Sequence, residues 1–166
     1  MITPQKFRHR IILSDLASLF TYAELHPGVG TNSALGLPEY TTDDDCDRDQ
    51  VRQPWSVGYQ RVFLESALQG FPVGMYVRAT LDDALLGEGV LPGCVIDGFQ
   101  RLRAFADYFS GKFSVYGSKW TALSPDDQRR FLTRIPFPGV EVWGDKVLTR
   151  SDIDELRALY QSPSNQ

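Results

Sequence analysis

Two cysteines in 166 residues are too few for a disulfide framework, and Cys46, in an acidic run, and Cys94, in an apolar one, lack the spacing of a zinc site. Both read as reduced thiols of a cytoplasmic protein. Long apolar runs are missing too: none approaches the roughly 18 residues that a membrane span needs. The opening MITPQKFRHRIIL has neither the apolar segment nor the cleavage site of a signal peptide. The expectation is therefore a chain with no membrane partner. Positive charge is in deficit, with 17 Lys and Arg against 21 Asp and Glu. A net charge of −4 argues against a broad basic surface wrapped on DNA, because such binding depends on neutralising many phosphates. A local basic site stays compatible with it, and Arg52, Arg61, Arg101 and Arg103 cluster around the motifs described below. Histidine is scarce, and His9 and His26 stand too far apart in sequence to read as a metal pair or part of a triad. No internal repeat is visible.

What is present is an ordinary globular composition, 42% hydrophobic with ten Phe, seven Tyr and three Trp, enough for one packed core. The expectation is a single domain over 1–161 and a disordered tail over 162–166. Ser14 caps a predicted helix from Asp15 to Ala23, with Leu16, Leu19 and Phe20 at helical spacing. His26 to Gln50 reads as a long loop, Gly- and Pro-rich and then acidic from Thr41 to Asp49. Its aspartates do not form a calcium loop, since no Gly fills the sixth position and no Glu the twelfth.

Ser56 caps a second predicted helix, Val57 to Gln69, with Val57, Leu64, Leu68 and the stem of Arg61 on one face. Gly74 to Thr80 has strand composition, residues 81–93 form a connection, and Gly93 to Ile96 reads as a short buried strand. From Phe99 the period becomes 3.6: Phe99, Leu102, Phe105, Ala106 and Phe109 share a face that Ser110-Gly111 closes. Ser124-Pro125-Asp126-Asp127 starts another helix. Val140 to Trp143 is a strand, and Asp152 to Tyr160 a last helix opened by Ser151 with Asp154 in the capping-box position. Trp120 and Trp143 read as core.

The chemistry is expected where strand, glycine and helix meet, at Asp97-Gly98-Phe99-Gln100-Arg101. A helix start offers unpaired N–H groups and a partial positive charge, so such a turn suits an anion. Gly98 allows close approach, Arg101 adds a bidentate charge-assisted contact to phosphate, and Gln100 donates through its amide. For Asp97 four roles are open: capping the helix, orienting Arg101, holding a metal ion, or acting as a base. Glu65 reads either as an intrahelical ion pair with Arg61 or as a carboxylate facing the ligand. Trp55 lines the pocket or anchors its helix. Tyr59 and Arg61 line it if their face meets Arg101.

The segment CVIDGFQRLRAFADYFSGKF (Cys94 to Phe113) resembles the motif of the domain of unknown function 262 family, in which an apolar strand precedes Asp-Gly-Gln-Gln-Arg-Leu. It is also similar to the Gly-Glu-Arg-Arg segment of ParB proteins. In PWSVGYQRVFLESALQGFPVGMYV (Pro54 to Val77), Trp55, Leu64, Glu65, Ser66, Leu68, Gly70, Pro72 and Gly74 fall where the family's pattern places them. IPFPGVEVWGDKVLTRSDIDELRALYQ (Ile135 to Gln161) is similar to its closing strand and helix. The chain departs from the pattern at Gln50-Val51-Arg52-Gln53-Pro54-Trp55, where the arginine is displaced by one position. It departs again at Phe99, which replaces a glutamine and offers a stacking surface, at Tyr160-Gln161, and in having no HNH nuclease domain.

The resemblance implies an α/β (α+β) fold of the ParB/sulfiredoxin type, a mixed sheet with flanking helices. It also implies a nucleotide held by Gly98, Phe99, Gln100 and Arg101, with Gln50, Arg52, Trp55, Arg61 and Ser66 around it. Asp97, Glu65 and Arg101 are then the candidate catalytic residues, with Mg²⁺ at Asp97. The implied activity is a Mg²⁺-dependent hydrolysis of, or phosphoryl transfer from, a nucleoside triphosphate, linked to DNA metabolism, restriction or phage defence. Two alternatives stand beside it: a nucleotide- or DNA-binding regulatory module without turnover, and a DNA nuclease. Implied partners are a nucleotide, DNA, a protein supplying the nuclease function, or a second copy of the chain.

Overall fold

The computed structural model describes residues 6–12, 16, 54–79, 95–144 and 148–160. The expectations for the helix Asp15 to Ala23 (Leu16 apart), the loop His26 to Gln50, Arg52, the connection 81–93 and the tail 162–166 lie outside the described residues.

Four strands form one mixed sheet in the order β1-β4-β2-β3: β1 (Phe7–Ile12), β2 (Tyr76–Ala79), β3 (Val95–Asp97) and β4 (Gly139–Gly144). β1 runs antiparallel to β4, β4 parallel to β2, and β2 antiparallel to β3, with an irregularity between Val77 and Arg78. Among the described residues four α-helices flank the sheet: α1 (Val57–Leu68), α2 (Phe99–Phe109), α3 (Pro125–Arg134) and α4 (Arg150–Tyr160). The expected mixed sheet with flanking helices is thus present. Alternation along the strands sorts the core into two layers. Val77, Ile96, Val140 and Val142 meet Ile153 and Leu156 of α4. Tyr76 and Val95 belong to the larger cluster of α1, α2, Trp120 and α3.

That cluster is rich in aromatic rings because α2 brings Phe99, Phe105, Tyr108 and Phe109 to its buried side. Phe109 meets Trp120 edge-on at 4.6 Å, and Tyr108 lies 5.3 Å from Phe131. Each buried ring adds roughly 1.5–3 kcal/mol through the area it removes from water. Trp120 is core as expected, but Trp143 is only partly buried, with the guanidinium of Arg10 5.9 Å from its ring.

Helix ends follow the expected chemistry at α1 and α3, where Ser56 Oγ accepts from Tyr59 N and Ser124 Oγ from Asp127 N. α4 starts two residues earlier than expected. Thr149, not Ser151, is the cap: its hydroxyl accepts from Asp152 N at 3.3 Å while Asp152 Oδ2 accepts from Thr149 N at 2.8 Å, a closed capping box. The buried face of α1 is also rotated from the expected one. Val57 and Arg61 are exposed, and Gln60, Leu64 and Ala67 are buried. Apolar periodicity misses this because a polar residue, Gln60, sits on the inner face with its amide donating to Trp55 O (3.4 Å) and Asp107 Oδ2 (3.2 Å).

A candidate anion site at the start of α2

β3 ends at Asp97, paired with Val77 of β2, and Gly98 turns the chain into α2 with φ 87°. Only glycine takes this conformation without strain. The space its side chain would fill belongs to the neighbouring strand: a Cβ on Gly98 would lie 2.8 Å from Tyr76 Cα and 3.0 Å from Met75 O. The glycine therefore admits the backbone entering β2. No side chain caps α2, so Asp97 does not have the capping role. Its carboxylate instead lies 3.6 Å from Arg101 Nη1, which donates to Met75 O at 2.7 Å. Arg101 also packs beneath Gly74, where a Cβ would come within 3.3 Å of its Cζ. Three contacts thus fix the guanidinium beside the first turn of α2, whose N–H groups have no acceptor within the helix. Both partners keep about a third of their side chains exposed, 36% for Asp97 and 32% for Arg101.

Gln100 joins this turn to α1. Its Oε1 accepts from Trp55 N at 3.1 Å, and the Trp55 ring meets Tyr59 at 4.7 Å and Phe63 at 5.2 Å. Tyr59 is exposed on that flank. Phe99 is a correction: at 2% exposure it is a core residue and offers no surface on which a base could stack. Its place on the apolar stripe of α2 decides this.

The remaining expected residues go elsewhere. Arg61 Nε donates to Ser114 O at 3.0 Å, and Glu65 Oε1 accepts from Tyr116 N at 3.2 Å, so the two engage the 114–116 segment rather than each other. Ser66 Oγ donates to Val62 O within its own helix. Gln50 and Arg52 lie outside the described residues. The structure brings together Asp97, Gly98, Gln100, Arg101 and Trp55.

Among the described residues no three His, Cys, Asp or Glu side chains converge as a metal site. Among the described residues Asp97 belongs to no such group, and it faces the Arg101 guanidinium.

Two polar clusters were not read from the sequence. Asp107, buried on α2, accepts from Arg103 Nε at 2.9 Å, from Lys112 Nζ at 2.7 Å and from Gln60, tying α2 to α1. The i,i+4 spacing of Arg103 and Asp107 was its only signal. On the sheet, Glu141 of β4 is held by Arg10 of β1 and Arg78 of β2. Burial pushes the Glu141 carboxyl up, but the bonds from Arg78 and Arg10 outweigh it and hold the group below the ordinary glutamate range. No sequence signal announces this triad, because strand register creates it.

Comparison with protein-family models, curated proteins and solved structures gives no match for this chain.

Proposed function

We propose that the chain is a nucleotide-binding domain whose Asp97–Arg101 turn receives the phosphates. One observation carries the reading: a partly exposed guanidinium is fixed by Met75 O, Asp97 and the Gly74 backbone beside an uncapped helix start. An oriented arginine next to oriented N–H groups is suited to a phosphate's charge and geometry. The resemblance of Cys94 to Phe113 to the Asp-Gly-Gln-Gln-Arg motif supports the same reading, and with it a ParB/sulfiredoxin-type fold. Trp55 and Tyr59 provide the wall on the α1 side.

Binding without turnover is the form this geometry favours. Hydrolysis or phosphoryl transfer needs a group that activates the nucleophile, and Glu65, the second carboxylate proposed for that work, is bonded to Tyr116. Mg²⁺ then arrives with the triphosphate.

A thermal-shift panel of ATP, GTP, CTP, UTP and their diphosphates with Mg²⁺ tests the proposal on wild type, Arg101→Ala and Arg101→Lys. At a nucleotide concentration about a hundred times Kd the wild type gains about 2.7 kcal/mol. Arg101→Ala should lose the shift, and Arg101→Lys should keep only part of it. No shift from any nucleotide, or an equal shift in folded Arg101→Ala, overturns the site. Triphosphate turnover that vanishes in Asp97→Asn would promote the domain to an enzyme.

A further inference from the structure

We propose a second site, on the sheet: the face carrying Arg10, Arg78, Glu141 and Trp143 binds the phosphodiester backbone of single-stranded nucleic acid. Register places these residues together. Arg10 lies opposite Glu141 across β1 and β4, Arg78 lies opposite Glu141 across β2 and β4, and Trp143 is two residues further along β4 on the same face. Arg10 grips Glu141 Oε2 with Nε (2.7 Å) and Nη2 (2.5 Å). Arg78 grips Oε1 with Nε (3.2 Å) and Nη2 (2.5 Å).

The triad has more charge than a structural pair requires. One guanidinium neutralises one carboxylate, and the second leaves a net positive charge. Within the triad two arginines face one acid, so 2 − 1 gives +1 in a chain whose total is −4. That local reversal of sign suits a polyanion.

Geometry adds two further reasons. Both arginines spend the same Nε–Nη2 edge on Glu141, and neither Nη1 makes another hydrogen bond among the described residues. The carboxylate, only 5% exposed, holds the two forks on either side of β4, so little rotamer freedom is left to lose on binding. Arg10 is 68% exposed, and its guanidinium lies 5.9 Å from the partly exposed Trp143 ring. An exposed arginine beside a partly exposed aromatic ring on a sheet matches a single strand, whose bases are free to stack, better than a duplex.

Fluorescence anisotropy with labelled oligo-dT, oligo-U and a duplex of equal length tests this, and the first two separate DNA from RNA. The wild type should bind at least one single strand at low salt, and more tightly than the duplex. The triple variant Arg10→Gln, Glu141→Gln, Arg78→Gln keeps hydrogen-bonding groups while removing the charges. It should bind at least ten-fold more weakly, with a log–log salt slope shallower by about 1.4, two phosphate contacts' worth. Trp143→Leu should weaken binding several-fold without changing the slope. If the triple variant does not fold, Arg10→Lys, which keeps the charge and loses the fork, takes its place and should also bind more weakly. No wild-type binding, preference for duplex, or wild-type affinity in the folded variants overturns the proposal.

Discussion

Gly98 and Tyr76 touch through their backbones: a methyl group on the glycine would stand 2.8 Å from Tyr76 Cα and 2.9 Å from its Cβ, at a φ of 87°. Two costs therefore fall on Gly98→Ala, a left-handed conformation for a residue with a side chain and an overlap that only movement of β2 relieves. We expect a loss of at least ~2 kcal/mol, which lowers Tm by about 4–8 °C in a chain of this length. Nucleotide binding should weaken as well, because Met75, displaced with β2, is the acceptor that aims Arg101. A variant as stable as wild type would show that the close approach is not needed.

Asp107 balances two cations at once, and Arg103 keeps only 12% of its side chain exposed. Asp107→Ala removes the carboxylate that the nearly buried Arg103 guanidinium and Lys112 share. The expected cost is ~3 kcal/mol or more, the usual result of breaking one side of a buried pair. Urea unfolding checks it, and Asp107→Asn, which keeps an acceptor, should cost less. Loss should be additive with that of Gly98→Ala only if the α1–α2 tie and the β2–α2 contact are independent.

Acid should weaken the junction of β1 and α4. Asp152 is held at about 2, below the ordinary 3.8, first by the bond from Lys6 and then by the N–H and hydroxyl of Thr149. A carboxyl with a lower pKa folded than unfolded contributes stability in full above the unfolded value, and loses it as pH falls through the folded one. The loss from Asp152 therefore runs from about pH 4 to about pH 2. Glu141, also lowered, adds a loss of the same sign that begins below its ordinary 4.5. Asp152→Asn should lower Tm at neutral pH and flatten its fall in acid. An unchanged profile would show that the capping box and the Lys6 contact contribute nothing.

Local patterns were legible and long-range registers were not. The stripe of α2, its glycine start and the Ser-Pro-Asp-Asp opening of α3 each lie within a dozen residues, so periodicity and cap chemistry suffice to find them. β1 gave no readable pattern because it is an outer strand whose Arg8, His9, Arg10 and Ile11 are all exposed. Glu141 could not be matched to Arg10 and Arg78 without knowing that β4 lies between β1 and β2. In the candidate site, the turn and Arg101 were read from the sequence, and so was Trp55. Phe99 was assigned to two places, the stripe and the ligand, and burial chooses the stripe.

Glu65 offers the sharpest separation of scaffold from site. Tyr116 and Gly117 form a two-residue turn with φ of 46° and 79°, closed by mutual backbone bonds between Val115 and Ser118. Positive φ at tyrosine costs about 1–3 kcal/mol, so something must hold it. Glu65 does so twice: its carboxylate accepts from Tyr116 N and its carbonyl from the Tyr116 hydroxyl, at 3.2 and 3.1 Å. Gln69 donates to the same hydroxyl at 2.6 Å. Glu65→Gln keeps an acceptor of the same reach and should leave stability nearly unchanged, while Glu65→Ala should cost ~1–2 kcal/mol by leaving the Tyr116 N–H without its partner. Neither change should alter nucleotide affinity, since the contacts of Glu65 lead to the 115–118 turn and not to Arg101. If Glu65→Gln instead abolishes nucleotide binding or turnover at unchanged Tm, the carboxylate belongs to the site, and the hydrolytic reading regains the group it lacks.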